Sequence, residues 1–399
     1  MVSAYAELED RMRRRLGGRE CLYVPSCRFG LYLALRHWCR PGGRVLMSPV
    51  NDDVILFVVL AAGLRPVQAP LDPRDGSVDP SAVPGTVWRD LSAVLTTNLY
   101  GNPDPAPELR ERCDRLGIPL IEDAAHAIGS TAGGRPVGTY GEASVFSLSK
   151  HTAAKTGGFL TLADPDLRGE LAAARDALLH PTRTTAELAH LVRPYAEATV
   201  RGLRLVGAAR ATLRRLGLEE RPEIRMPLRA DALKQALPAA PALDPFHSWV
   251  RVDMHDYRLR PGPGRLRRTA RRLAGLDGVL DAHRAGTERL LATEYGGGHG
   301  GSHEEVQPLF RVPLLVDDRD AAVAALARRR ITTGYLYDPP LDHYAGEVFT
   351  EPSPAPEPAA WFARHALPVD PRRADESLAA LRAAGIRPAG PSAAPGGAR

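Results

Sequence analysis

The sequence predicts an α/β protein: a large domain with a mainly parallel sheet flanked by helices, and a smaller C-terminal α/β domain. Three observations support this prediction. Through the first 160 residues, short apolar segments alternate with helical segments, as in right-handed βαβ units. A second series of strand and helix patterns occupies the last third of the chain. The length of 399 residues is enough to bury a large core and a smaller one.

The predicted elements follow one another in a regular order. Residues 3–16 predict a charged amphipathic helix that packs on the body of the protein or on a partner subunit. The apolar CLYV stops at Pro25-Ser26 and a helix follows; strand, turn, helix and strand patterns continue to residue 72. The segment LSAVLTTN is a strand, residues 105–117 are a crossover helix, and strands and helices resume after residue 305.

We place the large domain at residues 1–255 and the small domain at residues 256–387. Within the large domain, about residues 166–245 show Arg-rich helical periodicity without a strand pattern, which predicts a helical insertion. Residues 388–399 are rich in Pro, Gly and Ala, a composition typical of disorder.

Composition argues against several classes of protein. Hydrophobic residues at 44% and charged residues at 25% are ordinary for a soluble globular chain. The four cysteines have no metal-ligand spacing, so we expect neither a disulfide framework nor a metal. Without a long apolar run or a signal-peptide pattern, we expect a cytoplasmic protein with no membrane partner. The arginines are spread along helices with few aromatics, so a nucleic-acid partner is not expected.

Two strand ends are predicted to bring an acid and an amine together. The apolar run 118–121 ends in Glu122 and Asp123, and the run 145–148 is followed by Lys150. Parallel strands end at a common edge, where ligands gather. An acid beside a lysine is what pyridoxal phosphate requires, because the lysine binds its aldehyde and the carboxylate pairs with its ring nitrogen.

Lysine is rare in this chain, which makes Lys150 informative. Of 52 Lys and Arg residues only three are Lys (Lys150, Lys155 and Lys234), which leaves 52 − 3 = 49 Arg. Arginine cannot take this role because its guanidinium stays protonated. The alternative for Lys150 is a solvated strand end, since lysine is mostly exposed. We assign that ordinary role to Lys155 and Lys234.

The stretch around this acid–lysine pair resembles the DegT/StrS-type aminotransferases, pyridoxal-phosphate enzymes of fold type I known for aminating nucleotide-linked keto-sugars. Here EDAAH corresponds to the family's EDAAQ, with His126 in place of Gln, and FSLSK to its FSF segment. In the family, the cofactor-binding lysine lies at a fixed spacing from the FSF segment and from the GEGG turn. The spacing back from the pair Gly157-Gly158 places it at Lys150, whereas the spacing forward from Phe146 places it at Thr152. We choose Lys150 because it is a lysine. The glutamate of the family's GEGG turn is absent.

The resemblance implies roles for several residues. Lys150 would bind the cofactor, Asp123 would face its ring nitrogen, and His126 would lie near its phenolic oxygen. Three further groups would contribute to cofactor binding, chiefly at the phosphate: Ser26, Cys27 and Arg28; Ser147 and Ser149; and Asp256, Tyr257 and Arg258. In the family, this last group reaches the neighbouring subunit's active site, so a homodimer with shared sites is expected.

Some of these residues have a purely structural alternative. Ser26 is a natural helix N-cap, although the same geometry favours an anion. Asp256 stands where the family has Asn and could cap a helix. The choice between Ser147 and Ser149 stays open, because the segment before Lys150 is two residues shorter than in the family.

Departures from the family pattern point to an atypical substrate. The family usually has an aromatic residue that stacks on the cofactor ring, and this chain has Asn51-Asp52-Asp53 there. The alternative is that Asn51 or Asp52 only caps the helix that begins near Val54. In a later loop, Asp342 replaces a family His. The substrate candidates are Asp53, Tyr100, Tyr337 and His343.

The activity implied by the resemblance is transamination from an amino-acid donor to a keto-sugar or similar small carbonyl acceptor, with pyridoxal 5'-phosphate as cofactor. High Arg, Ala, Pro and Gly usage fits a GC-rich bacterial source and specialised metabolism, such as antibiotic biosynthesis. A lyase, a dehydratase or another reaction with the same cofactor is the alternative. Family dehydratases carry His in place of the lysine, and here His151 only adjoins Lys150. A scaffold without catalysis is the third interpretation.

Overall fold

The computed structural model describes residues 5–154, 156–182, 184, 185, 187, 225–252, 256–297 and 305–390. The strands are β1 (Glu20–Val24), β2 (Arg44–Met47), β3 (Arg65–Gln68), β4 (Ala93–Thr96), β5 (Leu120–Asp123), β6 (Thr131–Ala132), β7 (Arg135–Pro136), β8 (Ala143–Ser147), β9 (Gly158–Leu162), β10 (Val312–Leu315) and β11 (Ala366–Val369). The helices are α1 (Ala6–Arg15), α2 (Cys27–Trp38), α3 (Asp53–Ala61), α4 (Gly85–Arg89), α5 (Ala106–Leu116), α6 (Arg168–Leu178), α7 (Ala230–Ala236), α8 (His247–Val250), α9 (Pro263–Ala274), α10 (Leu276–Leu291), α11 (Arg319–Arg328), α12 (Leu341–Ala345), α13 (Glu357–His365) and α14 (Ala374–Ala383).

Seven strands form one sheet in the order β1-β9-β8-β5-β4-β2-β3. The pairs from β8 through β5, β4 and β2 to β3 are all parallel. Strand β9 runs antiparallel to both of its neighbours, β1 and β8. The prediction of a mostly parallel sheet is therefore confirmed. Because β5 and β8 are parallel neighbours, with Asp123 opposite Val145, the residues that follow them meet at one edge.

Alternating side chains build a core on each face of this sheet. In β5, Leu120 packs in the core that includes α5, whereas Ile121 packs in the core that includes α2 and α3. Every residue of α3 is buried, as its continuous apolar sequence indicates. Burial on all sides fixes the position of α3, and with it the turn that precedes this helix.

Helix α1 forms where the sequence predicts it. The boundary between the large and the small domain, placed at residue 256, stays a prediction. In α1, Leu8 and Met12 are fully buried in the core of the sheet domain. Leu266 and Leu273 of α9 pack in that same core, although they follow the boundary placed at residue 256. Of the helical insertion expected at about residues 166–245, residues 188–224 lie outside the described part of the chain.

The C-terminal part is built around the antiparallel pair β10–β11, with α11 and α14 packed on it. The prediction placed the start of the disordered tail at residue 388, which is too early. Pro388 bridges to Val316, and the N–H of Ala389 donates to the carbonyl of Leu315 at 3.0 Å. Backbone hydrogen bonding to β10 thus continues to residue 389. Among the described residues, no helix is both long and apolar enough to cross a membrane.

Candidate active site

A cavity of about 270 Å³ opens where β1, β4, β5 and β8 end. Among the predicted site residues, Asp123 after β5 and Lys150 after β8 both line it. The start of α2, the turn before α3 and the loop that contains Tyr335 and Tyr337 complete the walls. The parallel pairing of the sheet has therefore brought the predicted acid and amine into one cavity, at the edge where α/β folds bind ligands.

Asp123 is the last residue of β5 and is only 3% exposed. Its carboxylate accepts a hydrogen bond from the N–H of Ala125 at 3.0 Å and lies 3.8 Å from the thiol of Cys27. Burial raises the pKa of Asp123 to about 7, an effect that the Ala125 N–H opposes. A cation brought against this carboxyl would favour its ionised form.

The preceding carboxylate, Glu122, has a different role. It is fully buried and accepts hydrogen bonds from three backbone N–H groups, those of Gly138, Tyr140 and Gly141, at 2.8, 2.7 and 2.7 Å. Burial raises the pKa of Glu122, and these N–H groups oppose that effect. Glu122 therefore fixes the turn that leads into β8, while Asp123 is the one that lines the cavity.

Lys150 follows β8 by three residues and is half-buried in the cavity wall. Its Nζ lies 5.6 Å from the ring centre of Phe310 and 6.0 Å from that of Tyr335. Ser147 and Ser149 also line the cavity, and their hydroxyls are 2.8 Å apart. The amine of Lys150 thus lies near two aromatic rings, in a cavity that the two serine hydroxyls also line.

The position of the lysine was ambiguous in the sequence, and the structure separates the two registers. Thr152, the alternative, is 7% exposed, and its hydroxyl donates to the carbonyl of Leu148. It does not line the cavity, whereas Lys150 does. Lys155 lies outside the described residues.

The N-terminus of α2 forms the wall next to Asp123. Ser26 caps this helix by accepting from the N–H of Phe29 at 3.3 Å, and its hydroxyl donates to the carbonyl of Tyr257 at 3.0 Å. Ser26, Cys27 and Arg28 all line the cavity. The capping alternative is therefore correct for Ser26, and the same helix end faces the cavity, where backbone N–H groups and the helix dipole favour an anion.

The segment 256–258 contacts the cavity of its own chain. Asp256 and Tyr257 line it, which differs from the expectation that this segment serves a neighbouring subunit. A 2.6 Å contact between His180 and Asp256 helps to hold the segment there. Burial opposes ionisation of Asp256, but hydrogen bonds from His180 and from the N–H of Arg258 lower its pKa. The Arg258 side chain pairs with Asp244 and does not line the cavity.

His126 lines the cavity between two rings. Its imidazole is stacked 6.2 Å from the Tyr100 ring and 5.1 Å from the Phe310 ring. Burial, reinforced by the charge of Lys150, keeps the pKa of His126 well below its usual value. The imidazole is therefore neutral at physiological pH and has one donor and one acceptor nitrogen for a ligand.

The four substrate candidates are placed differently. Tyr337 lines the cavity. Tyr100 lies behind the wall, 3% exposed, with its hydroxyl donating to the carbonyl of Tyr335 at 2.7 Å. His343 is exposed on α12 and does not line the cavity. Of these three, only Tyr337 is within direct reach of a ligand.

Asp53, the fourth candidate, is an internal anchor and not a cavity residue. It is fully buried, and its two carboxylate oxygens accept from Arg225 Nη1 at 2.8 Å and from the N–H of Met226 at 2.7 Å. The neighbouring carboxylate, Asp52, lines the cavity and also caps α3 through the N–H of Val54 at 2.9 Å. The turn singled out in the sequence therefore lines the cavity through Asp52, whereas Asp53 does not line it.

Sequence reasoning missed Arg225 and Tyr335. Arg225 donates to the carbonyls of Asn51, Tyr337 and Pro339 as well as to Asp53, so one guanidinium connects two walls of the cavity. No local pattern distinguishes it among 49 arginines. Tyr335 lies two residues before Tyr337, which was predicted as a substrate residue. The sequence does not distinguish Tyr335, because its exposure at the cavity results from the tertiary structure.

These residues fit pyridoxal phosphate. The buried Asp123 matches a protonated ring nitrogen, Lys150 matches the aldehyde, and the 12-residue helix α2 directs its N-terminus at the cavity. A Cβ on Gly158 would lie 2.2 Å from the carbonyl oxygen of Phe146 and 3.2 Å from the N of Cys27. A glycine is therefore required for β9 to approach β8 and the start of α2 this closely.

Among the described residues, no His, Cys, Asp or Glu cluster is arranged to hold a metal ion.

The fold is similar to that of aminotransferases and a related dehydratase of known structure. The aminotransferase TlmJ from Streptoalloteichus hindustanus is similar over 96% of this chain and 90% of its own, with a TM-score of 0.66 and 17% identity. A mutant of GDP-4-keto-6-deoxymannose-3-dehydratase (ColD) with bound GDP-perosamine is similar over 96% of this chain and 92% of its own, with a TM-score of 0.68 and 17% identity. This confirms the fold-class prediction.

Residues 3–188, a little under half of the chain, match the DegT/DnrJ/EryC1/StrS aminotransferase family. The L-glutamine:2-deoxy-scyllo-inosose aminotransferase of Streptomyces kanamyceticus is 34% identical over 166 residues, which are 40% of this chain and 39% of that protein. The chain spans about two fifths of the length of the curated relatives it matches. The family match includes β1 to β9, and with them the cavity residues from Ser26 to Gly157.

The buried pair of Asp53 and Arg225 leads to a prediction about stability. Asp53→Asn is expected to lower the free energy of unfolding by about 3 kcal/mol, because Arg225 would stay buried without a counter-ion. The matched control is Asp338→Asn in the Arg319–Asp338 pair, where the aspartate is 30% exposed. It is expected to cost about 1 kcal/mol. Both values are measured by urea unfolding followed by circular dichroism, and equal losses would contradict this role of Asp53.

Asp123 leads to a prediction about pH. Its folded pKa of about 7 is above the ordinary 3.8, so the cofactor-free folded state binds the proton more tightly than the unfolded chain does. The stability that Asp123 contributes is therefore fully present at low pH and is lost as the pH rises from about 4 to about 7.

Asp123→Asn removes this titration. The free energy of unfolding of the cofactor-free variant, measured by urea unfolding between pH 4 and pH 8, is expected to decline less with rising pH than that of the parent protein. Asp370→Asn is the control. Burial raises the pKa of Asp370, but Arg372 and Arg311 together lower it below its ordinary value, so this carboxyl stays ionised between pH 4 and pH 8 and the variant should keep the pH dependence of the parent protein. Parallel curves for Asp123→Asn and the parent protein would refute the raised pKa.

Proposed function

We propose that the protein is a pyridoxal-phosphate-dependent aminotransferase. It transfers an amino group from an amino-acid donor to a keto-sugar, a keto-cyclitol or a similar small carbonyl compound. The observation that carries this proposal is that Lys150 and Asp123 line one cavity at the ends of neighbouring parallel strands. The family match over residues 3–188 supports it.

Each cavity residue has a task in this reaction. When bound, pyridoxal phosphate supplies an aldehyde that accepts the amino group and a ring that withdraws electrons. Lys150 would bind the aldehyde through Nζ and, as a free amine, would take a proton from the α-carbon of the donor. Asp123 would keep the ring nitrogen protonated, which would strengthen the withdrawal. The neutral imidazole of His126 offers a hydrogen bond to a ring substituent.

The phosphate end is assigned to the wall formed by α2. Ser26, Cys27 and Arg28 bring a helix N-terminus and a guanidinium to the cavity, which together favour an anion. Tyr257 covers this end, with the Arg28 guanidinium 5.6 Å from its ring centre. Because Ser26 Oγ accepts from Phe29 and donates to Tyr257, its backbone is better suited to the phosphate than its hydroxyl.

Partners and setting are part of the proposal. The name of one relative includes L-glutamine and 2-deoxy-scyllo-inosose, which supports glutamine or glutamate as donor and a polyhydroxylated ketone as acceptor. The same relative supports a role in specialised metabolism of the antibiotic type. We retain a cytoplasmic homodimer as the assembly, although Asp256 and Tyr257 already line the cavity of their own chain.

A dehydratase is the second candidate, because one of the similar structures is a sugar 3-dehydratase. The histidine beside the lysine does not support it. His151 is 4% exposed, lies 3.2 Å from the carbonyl of Pro308 and does not line the cavity. Burial lowers the pKa of His151 to about 3, so it stays neutral. Lys150 is thus the residue available for proton transfer, which favours transamination.

The visible absorption spectrum of the protein mixed with pyridoxal phosphate tests this proposal. We expect an absorption band of the lysine-bound cofactor that is lost in Lys150→Ala and that disappears when L-glutamine or L-glutamate is added. Borohydride reduction followed by peptide mass mapping is expected to place the cofactor on Lys150. With only three lysines in the chain, the assignment has few alternatives.

Lys234→Ala is the matched control, because Lys234 is an exposed lysine on α7 and should leave the band unchanged. Label on Lys155 would overturn the assignment of the lysine. A band that never responds to an amino donor would favour a scaffold, and formation of a 3-deoxygenated product from a keto-sugar would favour the dehydratase.

A further inference from the structure

Tyr335 differs from the other tyrosines around the cavity because it is exposed. Its exposed fraction is 39%, against 4% for Tyr337 and 3% for Tyr100. Both Tyr335 and Tyr337 line the cavity, whereas Tyr100 lies behind the wall. A large aromatic ring held at the mouth of a cavity is a surface on which the apolar face of a ligand can pack.

Tyr335 lies close to the amine of Lys150. Lys150 Nζ is 6.0 Å from the Tyr335 ring centre. The carbonyl carbon of an acceptor must come close to the point where Lys150 acts. The rest of an acceptor bound at that point would therefore lie within reach of the Tyr335 ring.

The loop that carries Tyr335 is fixed by hydrogen bonds on both sides of this residue. The N–H of Gly334 donates to the carbonyl of Pro368 at 2.8 Å, and the carbonyl of Tyr335 accepts from Tyr100 at 2.7 Å. Further along, Arg225 donates to the carbonyl of Tyr337 at 3.2 Å. These hydrogen bonds hold the backbone that carries the ring. The loop therefore loses little conformational entropy when the ring contacts a ligand.

We propose that Tyr335 determines acceptor specificity by packing its ring against the C–H face of a cyclic ketone. Such a contact would favour a cyclic acceptor over an open-chain keto acid, which has no ring face. The carboxylate of Asp52 lines the same cavity and is a polar group suited to ring hydroxyls. This inference rests on the proposed transamination, since it concerns the second substrate of that reaction.

The experiment separates the two halves of the reaction. The donor half is followed by loss of the cofactor band with L-glutamine, and the acceptor half by its return with scyllo-inosose or with pyruvate. Tyr335→Leu keeps the apolar bulk without the ring, and Tyr335→Phe keeps the ring. Val348→Ala, at a residue that is 53% exposed and outside the cavity, is the surface control.

In Tyr335→Leu, we expect the KM for scyllo-inosose to rise about tenfold, while the donor half and the KM for pyruvate change less than about twofold. Tyr335→Phe and Val348→Ala are expected to stay within about twofold of the parent protein. A binding measurement without turnover gives a second readout. By calorimetry, Lys150→Ala should bind scyllo-inosose about ten times more tightly than the double variant with Tyr335→Leu.

The outcomes distinguish this inference from the proposed function. A donor half-reaction that fails in the parent protein overturns the proposed function itself. A normal donor half with equal KM values for scyllo-inosose in Tyr335→Leu and the parent protein overturns only the role of Tyr335. Conversion of pyruvate but not of scyllo-inosose by the parent protein also overturns it. Loss of the donor half in Tyr335→Leu would show a general effect on the site and would contradict a role limited to the acceptor.

Discussion

The parallel pairing of β5 with β8 is the constraint on which the rest of the site depends. The register that places Asp123 opposite Val145 brings Lys150, five residues beyond Val145, to the edge where Asp123 lies. A shift by one residue would turn Asp123 into the core and Glu122 toward the cavity, because side chains alternate along a strand. The three N–H groups around Glu122 oppose that shift, since they satisfy Glu122 only in the observed register. The carboxylate that lies outside the cavity thereby positions the one that lines it.

Much of this arrangement was predictable from the sequence because it is encoded locally. Alternating strand and helix patterns indicated the parallel sheet, and two apolar runs that end in polar residues indicated the site edge. The scarcity of lysine identified Lys150, which lines the cavity. Each of these features depends on residues that are close together in the chain, or on the general rule that parallel strands end at one edge.

The remaining features depend on contacts between distant residues, which the sequence does not encode locally. From the sequence, Asp52 and Asp53 are both plausible cavity residues. Only the direction of α3 decides that Asp53 is buried against Arg225, and Asp53 and Arg225 are 172 positions apart in the chain. Pro388 and Ala389 belong to a segment with a disordered composition, but Leu315 of β10 accepts a hydrogen bond from the N–H of Ala389. In both cases tertiary pairing outweighed the local pattern.

The guanidinium of Arg225 has an evolutionary consequence. It joins the Asn51–Asp53 turn to the loop of Tyr337 and Pro339, so that the two cavity walls share one set of hydrogen bonds. Substitutions within one such network have energetic effects that do not add. A change in one wall would therefore be tolerated or rejected according to the residues already present in the other. The effect of a substitution near Arg225 would then depend on the order in which changes in the two walls were acquired.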